Sequence, residues 1–187
     1  MKPFVALIKC LVLLSASTMG AQETPPFPPP PAGVSSTSVL APAQEPGEPL
    51  VIRGAVYHAD GTTPYKDLIL YLYQTDESGV YNHENQSWRE PRLRGWVKTG
   101  NDGTYEIRTI KPGSYPGSRN PAHIHAIIQL PGKRPQWIDD FLFEDDPFVT
   151  ERQRRDSRKQ GRFSNIIKLA RSGEKGLLGT RDIKVAD

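Results

Sequence analysis

His123 and His125 stand two residues apart in Pro121-Ala122-His123-Ile124-His125, directly after a loop ruled by Pro112-Gly113 and Pro116-Gly117 that carries Tyr115. Side chains alternate between the faces of an extended strand, so both imidazoles point one way and Ile124 the other. Two imidazoles on one face can share a metal ion; on its own the pair reads equally as surface or hydrogen-bonded histidines. Tyr115 sits on a turn shaped by the fixed φ of proline and the freedom of glycine at positive φ, which sets a phenol beside the strand. A second phenol, Tyr81, closes the turn-forming run Glu77-Ser78-Gly79-Val80.

The elements that must hold these groups are short β segments divided by turn chemistry. Val51–Tyr57 and Leu68–Tyr73 are followed by Asp60-Gly61-type and Asp76-to-Gly79 turns, and Trp96–Lys98 and Thr104–Thr109 flank Asn101-Asp102-Gly103, a hairpin signal. His123–Leu130, Trp137–Phe143, Phe163–Leu169 and Thr180–Val185 complete the set. Regularly spaced strands of this kind predict an all-β fold, a sandwich or barrel. One short helix is predicted over Pro147–Lys159, with Asp146 as its N-cap.

Composition bounds the rest. The 187 residues, 36% hydrophobic and 24% charged, suit one modest domain with appendages. Residues 1–21 read as a signal peptide, with Lys2 and Lys9 around an apolar run and small residues up to Ala21. Residues 22–49, rich in proline, serine and alanine, read as a disordered linker that tethers a domain at 50–187. The apolar run is too short for a membrane span, and the protein is expected to be secreted or periplasmic. The single cysteine, Cys10, falls in the signal, which excludes disulfides and thiolate metal sites from the mature chain. Without Lys2 and Lys9 the 24 basic residues fall to 22 against 21 acidic ones, a balance that argues against nucleic acid as a partner.

Asp102 to His125, DGTYEIRTIKPGSYPGSRNPAHIH, resembles the signature segment of the intradiol ring-cleavage dioxygenases, the catechol and protocatechuate dioxygenase family. GAVYHADGTTPYKDLILYLYQTDESGVY upstream and FEDDP downstream are similar to the segments that flank it, so the likeness runs over about Val51–Val149. It implies a β-sandwich that binds non-haem Fe(III) through Tyr81, Tyr115, His123 and His125, with Tyr115 and His125 axial and Tyr81 and His123 equatorial. The implied reaction is cleavage of a catechol by O2 between its hydroxylated carbons, giving a cis,cis-muconate-type diacid, with Tyr115 as both ligand and base. Export suggests plant- or lignin-derived phenols as substrates.

Three positions depart from the family pattern. Asn120 stands where an arginine usually precedes the histidine run, leaving Arg119 either to replace it or to face solvent. Asp140 stands where a glutamine is common, and Tyr73 where a tryptophan is common, in the core or on the pocket wall. Arg94 either contacts an acidic ring substituent or joins an ion pair. The competing reading is a non-catalytic β-sandwich binding module, transthyretin-like or carbohydrate-binding, with structural or zinc-holding histidines.

Overall fold

Leu50 and Ile52 alternate with more exposed neighbours, as do Tyr105 and Ile107, and these residues share one core with Val56, Ile124, Ala126 and Ile128. A computed structural model describes residues 27–85, 87–173 and 176–186. Its strands are β1 (Thr37–Val39), β2 (Pro49–Tyr57), β3 (Ile69–Gln74), β4 (Leu93–Lys98), β5 (Thr104–Ile110), β6 (His123–Gln129), β7 (Gln136–Trp137), β8 (Phe141–Phe143), β9 (Ile166–Ile167), β10 (Ala170–Arg171), β11 (Leu177–Thr180) and β12 (Ile183–Lys184). One sheet runs β1-β5-β2-β11-β10, with β12 also on β2; the other runs β4-β3-β6-β8-β9, with β7 on β6. The core is packed between them, which makes the fold the expected all-β sandwich.

Three local expectations are corrected. The turn at Asn101-Asp102-Gly103 forms, with Gly103 at φ 74° and Asp102 Oδ1 accepting from the Thr104 N–H, but β4 and β5 belong to opposite sheets. It is an arch between layers rather than a hairpin: Val97 and Ile107 must both face the core, and strands in facing sheets allow it. The helix α1 spans Glu151–Lys159, starting four residues after Pro147, because Thr150 and Gln153 make a reciprocal capping box. Asp146 instead accepts from the Phe148 N–H at 2.7 Å and the Ala122 N–H at 2.8 Å, bracing the entry to β6.

The third correction concerns the proline-rich stretch. From residue 27 it is laid on the sandwich. β1 adds in parallel to the free edge of β5, Leu40 and Ala41 are buried, and Glu45 holds both arms of the Arg92 guanidinium. The Pro28 carbonyl accepts from Trp96 Nε1 at 3.2 Å, and Phe27 meets Tyr71 edge-on at 6.1 Å. A polyproline run leaves its carbonyls free to accept, and the few apolar residues within it suffice to dock it on an edge that would otherwise stay unpaired. The proposed signal peptide lies outside the described residues. Among those described, no helix is long and apolar enough to cross a membrane.

Candidate metal centre

Because Ile124, Ala126 and Ile128 enter the core, His123, His125 and Ile127 project from the outer face of the second sheet. β3 does the same: Leu70 and Leu72 point inward, while Tyr71 and Tyr73 join Ile127 in a separate outer cluster, flanked by Phe27, Tyr81 and Trp96. The β3–β6 register sets Tyr73 opposite His125, with ring centroids 4.6 Å apart. The site is therefore a platform on the outside of the sandwich, walled by loops.

Two loops supply the tyrosines, and glycine lets them touch. A Cβ on Gly79 would lie 2.0 Å from the Ser114 carbonyl oxygen, and one on Gly113 would lie 2.3 Å from the Glu77 carbonyl oxygen. Gly79 also holds φ 82°. The loops are tied by the Gly113 N–H donating to the Asp76 carbonyl and by Thr75 Oγ1 donating to the Gly113 carbonyl, both at 2.8 Å. The buried Asp76 carboxylate accepts from the N–H groups of Ser78 and Val80, the Ser78 hydroxyl and His83 Nε2, which fixes the turn that delivers Tyr81.

Four atoms converge there. Tyr81 Oη lies 2.8 Å from His125 Nε2 and against Tyr115 Oη; Tyr115 Oη lies 2.9 Å from His123 Nε2 and 3.4 Å from His125 Nε2; the two Nε2 atoms are 3.1 Å apart. His123 Nδ1 faces the Pro121 carbonyl at 2.7 Å, and His125 Nδ1 faces Asp140 Oδ1 at 2.8 Å. A carbonyl and a carboxylate only accept, so each Nδ1 carries the hydrogen and each Nε2 turns a bare lone pair toward the other. The two phenols bring only two hydrogens to these five contacts. A proton-poor set of two oxygens and two nitrogens fits a cation: at bond lengths of about 2.0–2.2 Å, ligands at right angles stand about 3 Å apart. Asp140 lies near enough to the histidines to be counted a third ligand. Its Oδ1, however, is on the outer nitrogen of His125, so it supports the ligand rather than joining the set.

The electrostatics of the donor set agree with that geometry. Burial, followed by the contact with Tyr115, drives the Tyr81 phenol well above the ordinary range. The Tyr115 phenol is also raised by burial, which outweighs the opposing bond to Tyr81. Burial and then His125 hold His123 below the usual imidazole value. Burial thus favours the neutral forms of both phenols and of His123, and a cation that displaces the two phenolic protons would suit the set.

The structure brings together Tyr81, Tyr115, His123 and His125, with Tyr73 as the wall behind them and Asp140 on His125. The other sequence candidates lie elsewhere. Arg119 is exposed, its guanidinium 5.6 Å from the centroid of Phe148. Asn120 is exposed, its N–H on Ser118 Oγ, and Arg94 donates to the Pro91 carbonyl at 2.7 Å. Trp88 and Trp137, absent from the sequence candidates, line the cavity over the donor atoms together with Tyr73, Tyr81, Tyr115 and His125. Trp137 is recruited by its two-residue pairing with β6, opposite Ile127, which no local pattern announces.

A family model described as Dioxygenase matches residues 23–184. Catechol 1,2-dioxygenase 1 of Acinetobacter lwoffii is 32% identical over 120 residues, 54% of this chain and 38% of that protein. The 6-chlorohydroxyquinol 1,2-dioxygenase of Cupriavidus pinatubonensis is 29% identical over 102 residues, 46% of this chain and 37% of that protein. The chain thus spans less than half the length of these relatives. The dioxygenase domain of a dioxygenase carbohydrate-binding protein fusion from Streptomyces sp. SirexAA-E superposes with a TM-score of 0.63 at 28% identity, covering 89% of this chain and 96% of that one. Catechol 1,2-dioxygenase from Pseudomonas arvilla C-1 superposes with a TM-score of 0.62 at 21% identity, covering 87% and 61%, a likeness of fold.

Proposed function

The chain belongs to the intradiol dioxygenase family, and from that premise we propose that it cleaves a catechol-type ring with O2 at the Tyr81–Tyr115–His123–His125 centre, giving a cis,cis-muconate-type diacid. The observation that carries the reading is the convergence of two phenol oxygens and two lone-pair nitrogens at the floor of an open, aromatic-lined cavity. Ferric iron is the ion the family implies; bound there, it would supply the Lewis acidity that favours a doubly deprotonated catechol and readies the ring for O2. Both oxygen atoms end in the product.

The protein groups divide the remaining work. His123 and His125 sit on a strand whose ladder fixes them, with Nδ1 hydrogens held by Pro121 and Asp140, so their Nε2 atoms stay aimed at one point. Tyr115 sits on a loop, where a side chain can move without breaking a ladder, and its Oη, as the phenolate that a bound cation would favour, is placed to receive a proton from a catechol hydroxyl. The faces of Tyr73 and Trp137 border the cavity and orient a flat ring, and they keep the surroundings of the donor atoms apolar. Export to the periplasm or medium belongs to the same proposal and rests on residues 1–21 as a signal peptide.

The test is to load the full chain with iron and measure O2 uptake with catechol. One O2 consumed per diacid formed, by a visibly coloured protein, is the expected result. A folded protein that stays colourless and inert after iron loading would refute the reading and return the non-catalytic module to first place.

A further inference from the structure

The cavity over the donor atoms is about 440 Å³, within the range of roughly 300–1,000 Å³ that accommodates drug-sized ligands. A catechol is a single six-membered ring and must lie at the inner end, against Tyr81, Tyr115 and His125. That leaves room beyond the catechol ring in a cavity whose lining includes Trp88 and Trp137. These indoles are 37% and 40% exposed, the largest side chains among the exposed hydrophobics of the described residues. Two large, partly exposed apolar rings lining one cavity are informative where a single one would not be.

Their placement is specific. Trp137 is fixed by the pairing of β7 with β6, its ring 5.6 Å from His125 and 6.1 Å from Tyr73. Trp88 lies on the loop between Tyr81 and β4, with the Arg89 guanidinium 4.6 Å from its ring centroid. Of the neighbouring arginines, Arg92 holds Glu45, Arg94 holds the Pro91 carbonyl and Arg119 lies over Phe148, while Arg89 lies over the Trp88 ring. The Asp140 carboxylate stands behind the donor set, on His125.

We infer that the site takes a catechol whose ring carries a second planar, apolar group, the catechol ring entering to the donor atoms while the second group packs against the indoles of Trp88 and Trp137. This rests on the reading of the centre as a ring-cleaving site. The class is the aryl-substituted catechol, with 4-phenylcatechol as its simplest probe.

The experiment compares kcat/KM by O2 uptake for 4-phenylcatechol, catechol and 3,4-dihydroxybenzoate, using the iron-loaded full chain and its Trp88→Ala, Trp137→Ala and Trp137→Phe variants. Stacking on an aromatic face gives about 0.5–1.5 kcal/mol beyond area burial, so two faces should favour the phenyl probe over catechol by about tenfold or more in kcat/KM. Each alanine variant should lower that ratio about threefold to tenfold, and Trp137→Phe should keep most of it. Quenching of tryptophan fluorescence in the metal-free protein by 4-phenylcatechol, weakened in both alanine variants, is the expected binding signature. A ratio at or below one, a preference for 3,4-dihydroxybenzoate, or a ratio unmoved in both alanine variants overturns the inference while leaving the ring-cleavage reading intact. No uptake with any of the three overturns that reading and this inference with it.

Discussion

Asp140 Oδ1 takes the Nδ1 hydrogen of His125 at 2.8 Å, so the carboxylate fixes both the tautomer and the direction of that ring. Asp140 is held in turn from behind, where Asn165 Nδ2 donates to its carbonyl at 2.9 Å. Anionic support of this kind raises the basicity of an imidazole ligand. Asp140→Asn keeps an acceptor but loses the charge, and should weaken iron binding about tenfold to a hundredfold by competition with a chelator. A poorer histidine donor leaves the iron more electron-deficient, so the tyrosinate-to-iron absorption band should move to longer wavelength. An unmoved band with unchanged affinity would show that Asp140 does not act through His125.

The two tyrosines should separate when replaced singly. Tyr81 is fixed by its glycine-packed turn, and Tyr81→Phe removes a permanent anionic oxygen, so iron content after gel filtration and colour should both fall sharply. Tyr115→Phe keeps Tyr81 and both histidines; iron should be retained in larger part while turnover drops by about 10²–10⁴, the ordinary weight of a general base. Equal iron loss in the two variants would contradict the division of roles.

Asp76 anchors the Tyr81 turn through bonds to both of its carboxylate oxygens. Burial pushes its carboxyl upward, but the bonds from Ser78, Val80 and His83 outweigh that and hold it below the usual carboxylate range. A depressed folded-state value means that the stabilisation is fully present above the unfolded value of about 3.9 and is lost as pH falls through the folded one. Asp76→Asn should cost about 1–3 kcal/mol in urea unfolding at pH 7, and the gap to wild type should narrow below about pH 4. A pH-independent gap would mean that the carboxylate charge plays no part.

Arg119 is the sequence candidate that the structure most clearly displaces. With its guanidinium over Phe148 and its side chain in solvent, Arg119→Ala should lose no more than about 0.5–1 kcal/mol of stability. Iron content and kcat should stay within about twofold of wild type. A hundredfold drop in kcat at full iron occupancy would return it to the active site.

Docking of the proline-rich segment is testable apart from catalysis. Phe27→Ala removes the ring that meets Tyr71, and should lower stability by about 1 kcal/mol and speed proteolysis of the N-terminal stretch. Proteolysis at an unchanged rate would restore the free tether.

The sequence by itself determined the class of fold and, through its resemblance to the intradiol family, pointed to the four residues proposed as donors. Period-two alternation in β2, β5 and β6 sorts side chains between two faces with no knowledge of the partner strand, and His-x-His is a statement about one face of one strand. Gly79 and Gly113 mark where backbones come close, although the sequence does not say that they approach each other. What it could not contain is whatever depends on which distant segment comes alongside. Asn101-Asp102-Gly103 specifies a reversal, but whether its strands pair or part into two sheets is decided by where Val97 and Ile107 find a core. Asp146 reads as a helix cap until Ala122, 24 residues earlier, offers its N–H. Proline-rich residues 27–49 look unable to fold because their partners, the edge of β5 and the outer face bearing Tyr71 and Trp96, exist only after the sandwich has formed. The same holds for Trp88 and Trp137: an indole on a loop and another on a two-residue strand come to line one cavity through long-range register, a property of the assembled sheets and not of any window of sequence.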